Sequence, residues 1–129
     1  MRKGAKMVKK ILLVMVLVLF SGTIVSYFGM GFVIRSKVDE ICRTAMAQYD
    51  GTGKAEALIN VLKSDTQSLE AKNDAIYALG YVRDTNALPV LRGLRTGTAC
   101  DHGRFVCQRA LNRTIRYMEG KEKNIYDFR

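Results

Sequence analysis

The run ILLVMVLVLFSGTIVSYFGMGFVI, residues 11–34, contains no charged side chain. At about 1.5 Å per residue, a helix over this run is about 36 Å long, which exceeds the roughly 30 Å hydrocarbon thickness of a bilayer. A helix also satisfies its own backbone hydrogen bonds, so such a run crosses lipid as a helix. Residues 11–34 are therefore predicted to be a transmembrane helix that acts as a signal anchor.

The charges around this run predict its orientation. Basic residues without any acid precede the run, whereas the basic residues that follow it are mixed with acids. Segments rich in Lys and Arg stay on the cytoplasmic side of a membrane. We expect a single-pass chain with residues 1–10 in the cytoplasm and residues 35–129 outside it, in the periplasm if the organism is bacterial. The preceding bases are Arg2, Lys3, Lys6, Lys9 and Lys10.

A cleaved signal peptide is the alternative to an anchor. A short basic segment followed by the strongly apolar residues 11–20 is also typical of secretory signals. Gly29-Met30-Gly31 and Ala45-Met46-Ala47 match the small-x-small cleavage pattern, but one is far from the apolar core and the other follows charges. The apolar character that continues to Ile34 favours an uncleaved anchor over a secreted, HEAT-like protein.

Small residues within the apolar run predict a packing face. Gly22, Ser26 and Gly29 are spaced by four and three residues, which places them on one side of a helix. Small side chains let two membrane helices approach closely, so the pattern predicts a homo-oligomer through the membrane helix. The alternative is that glycines are simply common in such helices.

The remaining residues, 35–129, are enough for one small core. Apolar residues recur at helical spacing throughout, so the predicted fold class is all-α. We expect a juxtamembrane helix over 36–49 and a turn, together residues 35–52, and a polar, poorly ordered tail over 119–129. The four helices predicted between them cover about 54–63, 69–83, 87–94 and 104–118.

These four helices show an internal repeat. A shift of 32 residues places Leu58 on Val90 and Leu79 on Leu111. Periods of this size are typical of arrays of helical hairpins, in which each hairpin buries its apolar face against a neighbour. A generic four-helix bundle is the alternative.

The stretch AIYALGYVRDTNALPVLRGL, residues 75–94, resembles a HEAT-like repeat of the short bacterial type, also found in phycobilin lyases. In that pattern an Ala-rich helix ends in Ala-Leu-Gly and hydrophobic-x-Asp, and a short Ala-x-Pro-x-Leu helix follows. The resemblance implies an α-solenoid of about two hairpins over residues 53–118. The second copy has Asn112 where the first has Gly80 and lacks the Asp, which suits a terminal cap.

The cysteines predict one disulfide. Outside the cytoplasm thiols tend to oxidise, and Cys100 and Cys107 flank a loop-to-helix junction. A bridge between them requires the loop to fold back, because residues seven apart in one helix are too distant. Alternatively, Cys107 is a small buried residue and Cys42 forms an intermolecular bridge. Zinc bound by the cysteines and His102 matches no common ligand spacing, so no metal or cofactor is expected.

Residues 85–129 carry nine basic and four acidic side chains. Arg109, Arg113 and Arg116 share one face of the fourth predicted helix, and Arg92 and Arg95 precede it. Such a face suits an acidic protein, a phospholipid headgroup surface or another polyanion, whereas nucleic acid would require a cytoplasmic domain. An ordinary solvated helix face is the alternative.

The sequence holds no catalytic constellation. It has a single His, no Gly-rich phosphate loop, no Ser-centred elbow and no locatable pair of carboxylates, so no enzyme is expected. The predicted function is a membrane-tethered helical-repeat scaffold or adaptor that binds a protein partner outside the cytoplasm. The alternative is a non-catalytic accessory subunit of a membrane or exported enzyme complex.

Overall fold

The computed structural model describes residues 2–98, 101 and 103–123, and side chains from Lys9 onward. The regular secondary structure of this part of the chain is helical, without any strand, so the all-α prediction is confirmed. The chain divides into two compact units, residues 1–34 and 35–129. The helices are α1 (Arg2–Gln48), α2 (Lys54–Lys63), α3 (Leu69–Val82), α4 (Leu88–Gly93) and α5 (Gln108–Met118), with a 3₁₀ turn at Thr85–Ala87 before α4.

The first unit is the apolar part of α1. Within the described residues, α1 is the one helix that is long and apolar enough to cross a membrane. Its large apolar side chains are open on all sides, with Leu19 68% and Phe32 75% exposed. Burial of apolar surface is favourable by about 25 cal/mol per Å², so contact of these side chains with water is unfavourable.

The second unit begins with the last turns of α1. Val38, Cys42 and Ala45 recur at helical spacing and are at most 3% exposed, so this segment contributes to the core. The juxtamembrane helix predicted over 36–49 is therefore present, but as the continuation of α1 rather than as a separate helix.

Polar contacts place this end of α1 alongside α3. Arg35 donates from Nε to the hydroxyl oxygen of Tyr81 at 3.0 Å, near the end of α3. Gln67, which precedes α3, donates from Nε2 to Oε1 of Gln48 at 3.1 Å. The start of one segment thus meets the end of the other, so residues 35–48 and α3 are antiparallel.

The hairpin of α2 and α3 forms close to the predicted bounds. The range predicted for α2, residues 54–63, is the observed one. At the start of α3 the hydroxyl of Ser68 accepts a hydrogen bond from the backbone N–H of Ala71, which otherwise has no helical partner. At its end Arg83 adopts the left-handed conformation with φ 57° and donates from its N–H to the carbonyl of Leu79.

The third predicted helix begins differently. Asp84 accepts a hydrogen bond from the N–H of Asn86 at 3.0 Å, which starts the 3₁₀ turn instead of an α-helix. The α-helix α4 then covers six residues, with Pro89 in its first turn, where a missing N–H costs no helical hydrogen bond.

The fourth predicted helix starts four residues later than expected, at Gln108 instead of Arg104. Asp101 causes the difference, because its backbone carbonyl accepts from Phe105 and its carboxylate accepts from Gly103. The N–H of Cys107 donates to Oδ1 of Asn73 on α3 at 2.7 Å. Residues 103–107 thus find hydrogen-bond partners in a turn and on α3 rather than in α5.

Helices α3 and α5 lie side by side and point the same way. Asn73 meets Cys107 near the start of both, and further along Thr114 donates from Oγ1 to the carbonyl of Ile76 at 3.3 Å. A Cβ at Gly80 would lie 3.1 Å from Oγ1 of Thr114, which is tighter than ordinary contact. The absence of a side chain at Gly80 therefore allows the two helices to approach closely. The core that they enclose includes the fully buried residues Leu58, Ile76, Leu79, Leu91, Leu111 and Ile115.

A buried amide joins α5 to the segment after α4. Gln108 is 4% exposed and accepts a hydrogen bond at Oε1 from the N–H of Thr96 at 3.0 Å. Its Nε2 donates to the carbonyls of Leu94 and Val106, both at 3.2 Å. In the 32-residue register Gln108 corresponds to Ile76, so the two hairpins differ at a core position.

Candidate partner-binding surface

The five arginines predicted as a binding face are all exposed. On α5, Arg109, Arg113 and Arg116 lie on the side opposite Leu111 and Ile115, which are completely buried. Helical spacing of four and three residues produces this arrangement. We call the set Arg92, Arg95, Arg109, Arg113 and Arg116 the arginine surface.

The chain folds back onto this surface after α5. Gly120 has φ 71°, a conformation that glycine adopts without a Cβ penalty. Its N–H donates to the carbonyl of Tyr117 at 3.1 Å, and the N–H of Lys121 donates to the carbonyl of Arg116 at 2.9 Å. This pair of bonds is a Schellman motif, which reverses the chain at a helix end. Residues 119–123, which were expected to belong to a poorly ordered tail, therefore form a defined turn, and 124–129 lie outside the described residues.

The turn brings Glu122 between two arginines. Its Oε1 lies 3.5 Å from Nε of Arg113, and its Oε2 lies 2.9 Å from Nε of Arg116. The guanidinium of Arg113 also lies 5.5 Å from the centroid of the Tyr117 ring, a cation–π distance. One carboxylate thus bridges two cations on the solvent side of α5.

Glu119 is held by a second pair of cations. Its Oε1 lies 2.5 Å from Nη2 of Arg92, and its Oε2 lies 2.7 Å from Nζ of Lys121. Hydrogen bonds from Lys121 and then Arg92 lower the pKa of Glu119 from 4.5 to about 2. Its carboxylate therefore remains ionised far below the range in which ordinary carboxyl groups take up a proton.

The two carboxylates neutralise only part of the charge. Arg92, Arg95, Arg113, Arg116 and Lys121 supply five positive charges against the two negative charges of Glu119 and Glu122, which leaves a net charge of +3 on these residues. Within the described residues Arg95 forms no ion pair. The arginine surface therefore remains strongly positive after its internal pairing.

A groove lies elsewhere in the second unit, between the end of α1, α2 and α3, with a volume of about 180 Å³. Apolar side chains such as Ile41 and Val61 line it together with Glu40 and Asp74. The sequence pattern did not predict it, because its walls come from three segments separated along the chain.

The predicted membrane-helix face lies on α1, as its spacing requires. Around Gly22 and Gly29 there is open space, since a Cβ at either position would have no neighbour within 4 Å. Ser26 is exposed as well. Self-association through this face stays a prediction.

The cysteines lie in different environments. Cys42 is 1% exposed within the core, which leaves its thiol inaccessible to a second chain and argues against the intermolecular bridge. Cys107 precedes the first residue of α5 and therefore lies outside that helix. Cys100 and His102 lie outside the described residues, and the Cys100–Cys107 disulfide stays a prediction.

Among residues 2–98, 101 and 103–123, no group of three His, Cys, Asp or Glu side chains is placed to hold a metal ion. Comparison with known proteins finds no matching family model, no matching curated protein and no matching solved structure. The function is therefore inferred from the geometry of the chain itself.

Proposed function

We propose that this chain is a single-pass membrane protein that binds an acidic protein partner outside the cytoplasm through a helical-repeat domain. In this proposal the domain is a non-catalytic scaffold or adaptor, and the arginine surface is the docking site. The observation that carries the proposal is the net positive charge that remains on this surface after its internal ion pairs.

The proposed tether is α1. Its apolar residues 11–34 have the length of a membrane span, and five bases without an acid precede them. This asymmetry supports an N-terminus in the cytoplasm, and the apolar character that continues to Ile34 supports an uncleaved anchor. The domain that follows would then be held within reach of other proteins at the same membrane.

The packing of α3 against α5 supports the HEAT-like arrangement. In an up-and-down bundle, sequential helices are antiparallel neighbours, and helices two apart lie across the diagonal. Here α3 and α5 are parallel and in direct contact through Gly80 and Thr114, as stacked hairpins require. Gly80 belongs to the Ala-Leu-Gly motif, in which a small residue permits this approach.

The charge of the arginine surface supports an acidic partner. Complementary charges accelerate encounter and disfavour partners of like charge. Arginine also pairs with carboxylates in two-point geometry, which adds orientation to attraction. We therefore expect a partner that presents carboxylates to α5.

Topology is tested with two reporters fused after Arg129. One is active only in the cytoplasm and the other only outside it. We expect activity from the external reporter alone. Activity from the cytoplasmic reporter would contradict the proposed orientation.

Partner binding is tested by purifying the tagged full chain from solubilised membranes. The variant Arg109→Glu with Arg113→Glu should lose the co-purifying protein. The matched control, Arg43→Glu with Lys63→Glu, makes the same charge change at exposed positions outside the arginine surface and should retain it. If nothing co-purifies with the unmodified chain, or if both variants lose the partner equally, the proposal is wrong.

A further inference from the structure

We propose that the arginine surface binds an acidic peptide segment with carboxylates three residues apart, and that Glu119 and Glu122 occupy this site until the partner displaces them. This inference rests on the proposed function and adds to it the chemistry of the partner and a competition built into the chain. It starts from the way in which these two glutamates are held.

Glu119 and Glu122 mark two neighbouring carboxylate positions. Glu122 bridges Arg113 and Arg116, and Glu119 is held by Arg92 and Lys121. Each position joins one carboxylate to two cations. A peptide with acids at the same spacing would offer the same charges to the same guanidinium groups.

The turn that delivers Glu122 is local and can open without disturbing the core. It depends on Gly120 and on two backbone hydrogen bonds to the last turn of α5. The buried residues of α5, such as Leu111 and Ile115, face the other way. Helix ends open at low cost compared with global unfolding, so a partner can replace the turn while α5 stays packed.

The ion pairs of Glu122 are weak enough to be exchanged. The Arg113 and Arg116 side chains are 57% and 54% exposed, and exposed ion pairs contribute little in water. A partner with several carboxylates supplies more contacts than one glutamate and can also reach Arg95. The internal occupant therefore lowers the affinity for acidic segments in general and favours those with enough acids to replace both glutamates.

The test uses the full chain in nanodiscs of zwitterionic lipid and a labelled peptide of four Glu-Gly-Gly units, with binding followed by fluorescence anisotropy at low salt. The same peptide with Gln in place of Glu is the ligand control. The variant Glu119→Gln with Glu122→Gln should bind the acidic peptide about threefold to tenfold more tightly than the unmodified chain, because two competing carboxylates are removed. The variant Arg113→Ala with Arg116→Ala should bind more weakly.

Two further variants separate competition from net charge and folding. Glu56→Gln with Asp65→Asn removes the same charge at exposed positions on the first hairpin and should change the affinity by less than about twofold. Gly120→Ala keeps both carboxylates but strains the turn, so it should also tighten binding. Unchanged circular dichroism shows that each variant remains folded.

The inference is overturned if removing the two glutamates has no larger effect than the charge control, or if no variant binds the acidic peptide. It is also overturned if the two-glutamate variant gains affinity only for vesicles of anionic lipid, since the occupant would then be a membrane. If purification of the unmodified chain yields no partner whose binding depends on the arginines, the proposed function itself is contradicted. If partner binding depends on the arginines but does not change when the two glutamates are replaced, the proposed function is supported and only the competition is refuted.

Discussion

Replacing Gly80 with Ala tests the closest approach between α3 and α5. The added Cβ would lie 3.1 Å from Oγ1 and 3.2 Å from Cγ2 of Thr114, so one helix must shift by a few tenths of an ångström. Overpacking of this kind costs about 1–3 kcal/mol. Against this, alanine in place of a glycine within a helix stabilises the helix by about 0.5–1 kcal/mol. The expected result is a net loss of about 1 kcal/mol in the free energy of unfolding.

The sign of this effect should reverse when Thr114 is shortened. Thr114→Ala removes both side-chain atoms that the new Cβ would meet, together with the hydrogen bond to the carbonyl of Ile76. In this background Gly80→Ala should stabilise the protein by about 0.5–1 kcal/mol, because only the helix preference remains. The coupling energy between the two positions is then about 2 kcal/mol, within the range for residues in direct contact.

These differences in the free energy of unfolding are measured by urea unfolding of the full chain in detergent micelles. Unfolding is followed by far-ultraviolet circular dichroism, because the chain has no Trp to serve as a fluorescent reporter. Gly93→Ala is the control, since no atom lies within 4 Å of a Cβ at that position, and it should be neutral or slightly stabilising. If Gly80→Ala changes the free energy of unfolding equally with and without Thr114, the contact between α3 and α5 is not the reason why glycine is needed at position 80.

Three other predictions concern single side chains. Gln108→Ala should lower the free energy of unfolding by about 2–3 kcal/mol in urea titrations, because it removes buried atoms and three hydrogen bonds. As a control, replacing the half-buried Asn112 with Ala should lower it by less than about 1 kcal/mol. Ser68→Ala should cost about 1 kcal/mol and accelerate hydrogen exchange in the first turn of α3; unchanged exchange would contradict the cap. Glu119 should titrate by NMR with a pKa of about 2. Because this pKa is lowered on folding, its stabilising effect should be complete above about pH 4.5 and vanish as the pH falls through 2, and a midpoint near 4.5 would refute the pairing.

The helical core could be largely predicted from the spacing of apolar residues. Leu58, Leu79, Leu91 and Ile115 lie on the apolar faces that this spacing defines, and all four are completely buried. Ala57 was not expected to lie there, yet it is fully buried. Small residues carry little hydrophobic signal, so their burial depends on which neighbouring helix approaches them.

The helix starts were harder to predict because they depend on long-range hydrogen bonds. Besides the local bonds of Asp101, Asn73 contributes to the start of α5 by accepting a hydrogen bond from the N–H of Cys107, 34 residues away. Gln108 looks like a surface residue in the sequence, and its burial depends on the carbonyl of Leu94 and the N–H of Thr96. No local pattern encodes such partners.

The arginine surface could be predicted only in part. Helical spacing was sufficient to place Arg109, Arg113 and Arg116 on one face. The role of Glu119 and Glu122 was not apparent, because a polar segment after the last helix is usually loose. Gly120 was the available signal, since a glycine just after a helix commonly permits the reversal that returns the chain to it.

Gln108 also affects errors of assembly during folding. The helix pairs α2–α3 and α4–α5 offer the chain more than one way to dock, including an exchange in which the second pair takes the place of the first. In that arrangement the amide of Gln108 would enter the apolar site of Ile76, where a buried amide without partners costs about 1–3 kcal/mol. The correct arrangement carries no such cost, because three backbone groups meet the amide there. One polar side chain thereby distinguishes the α4–α5 pair from the α2–α3 pair, which favours a single order of packing around the core.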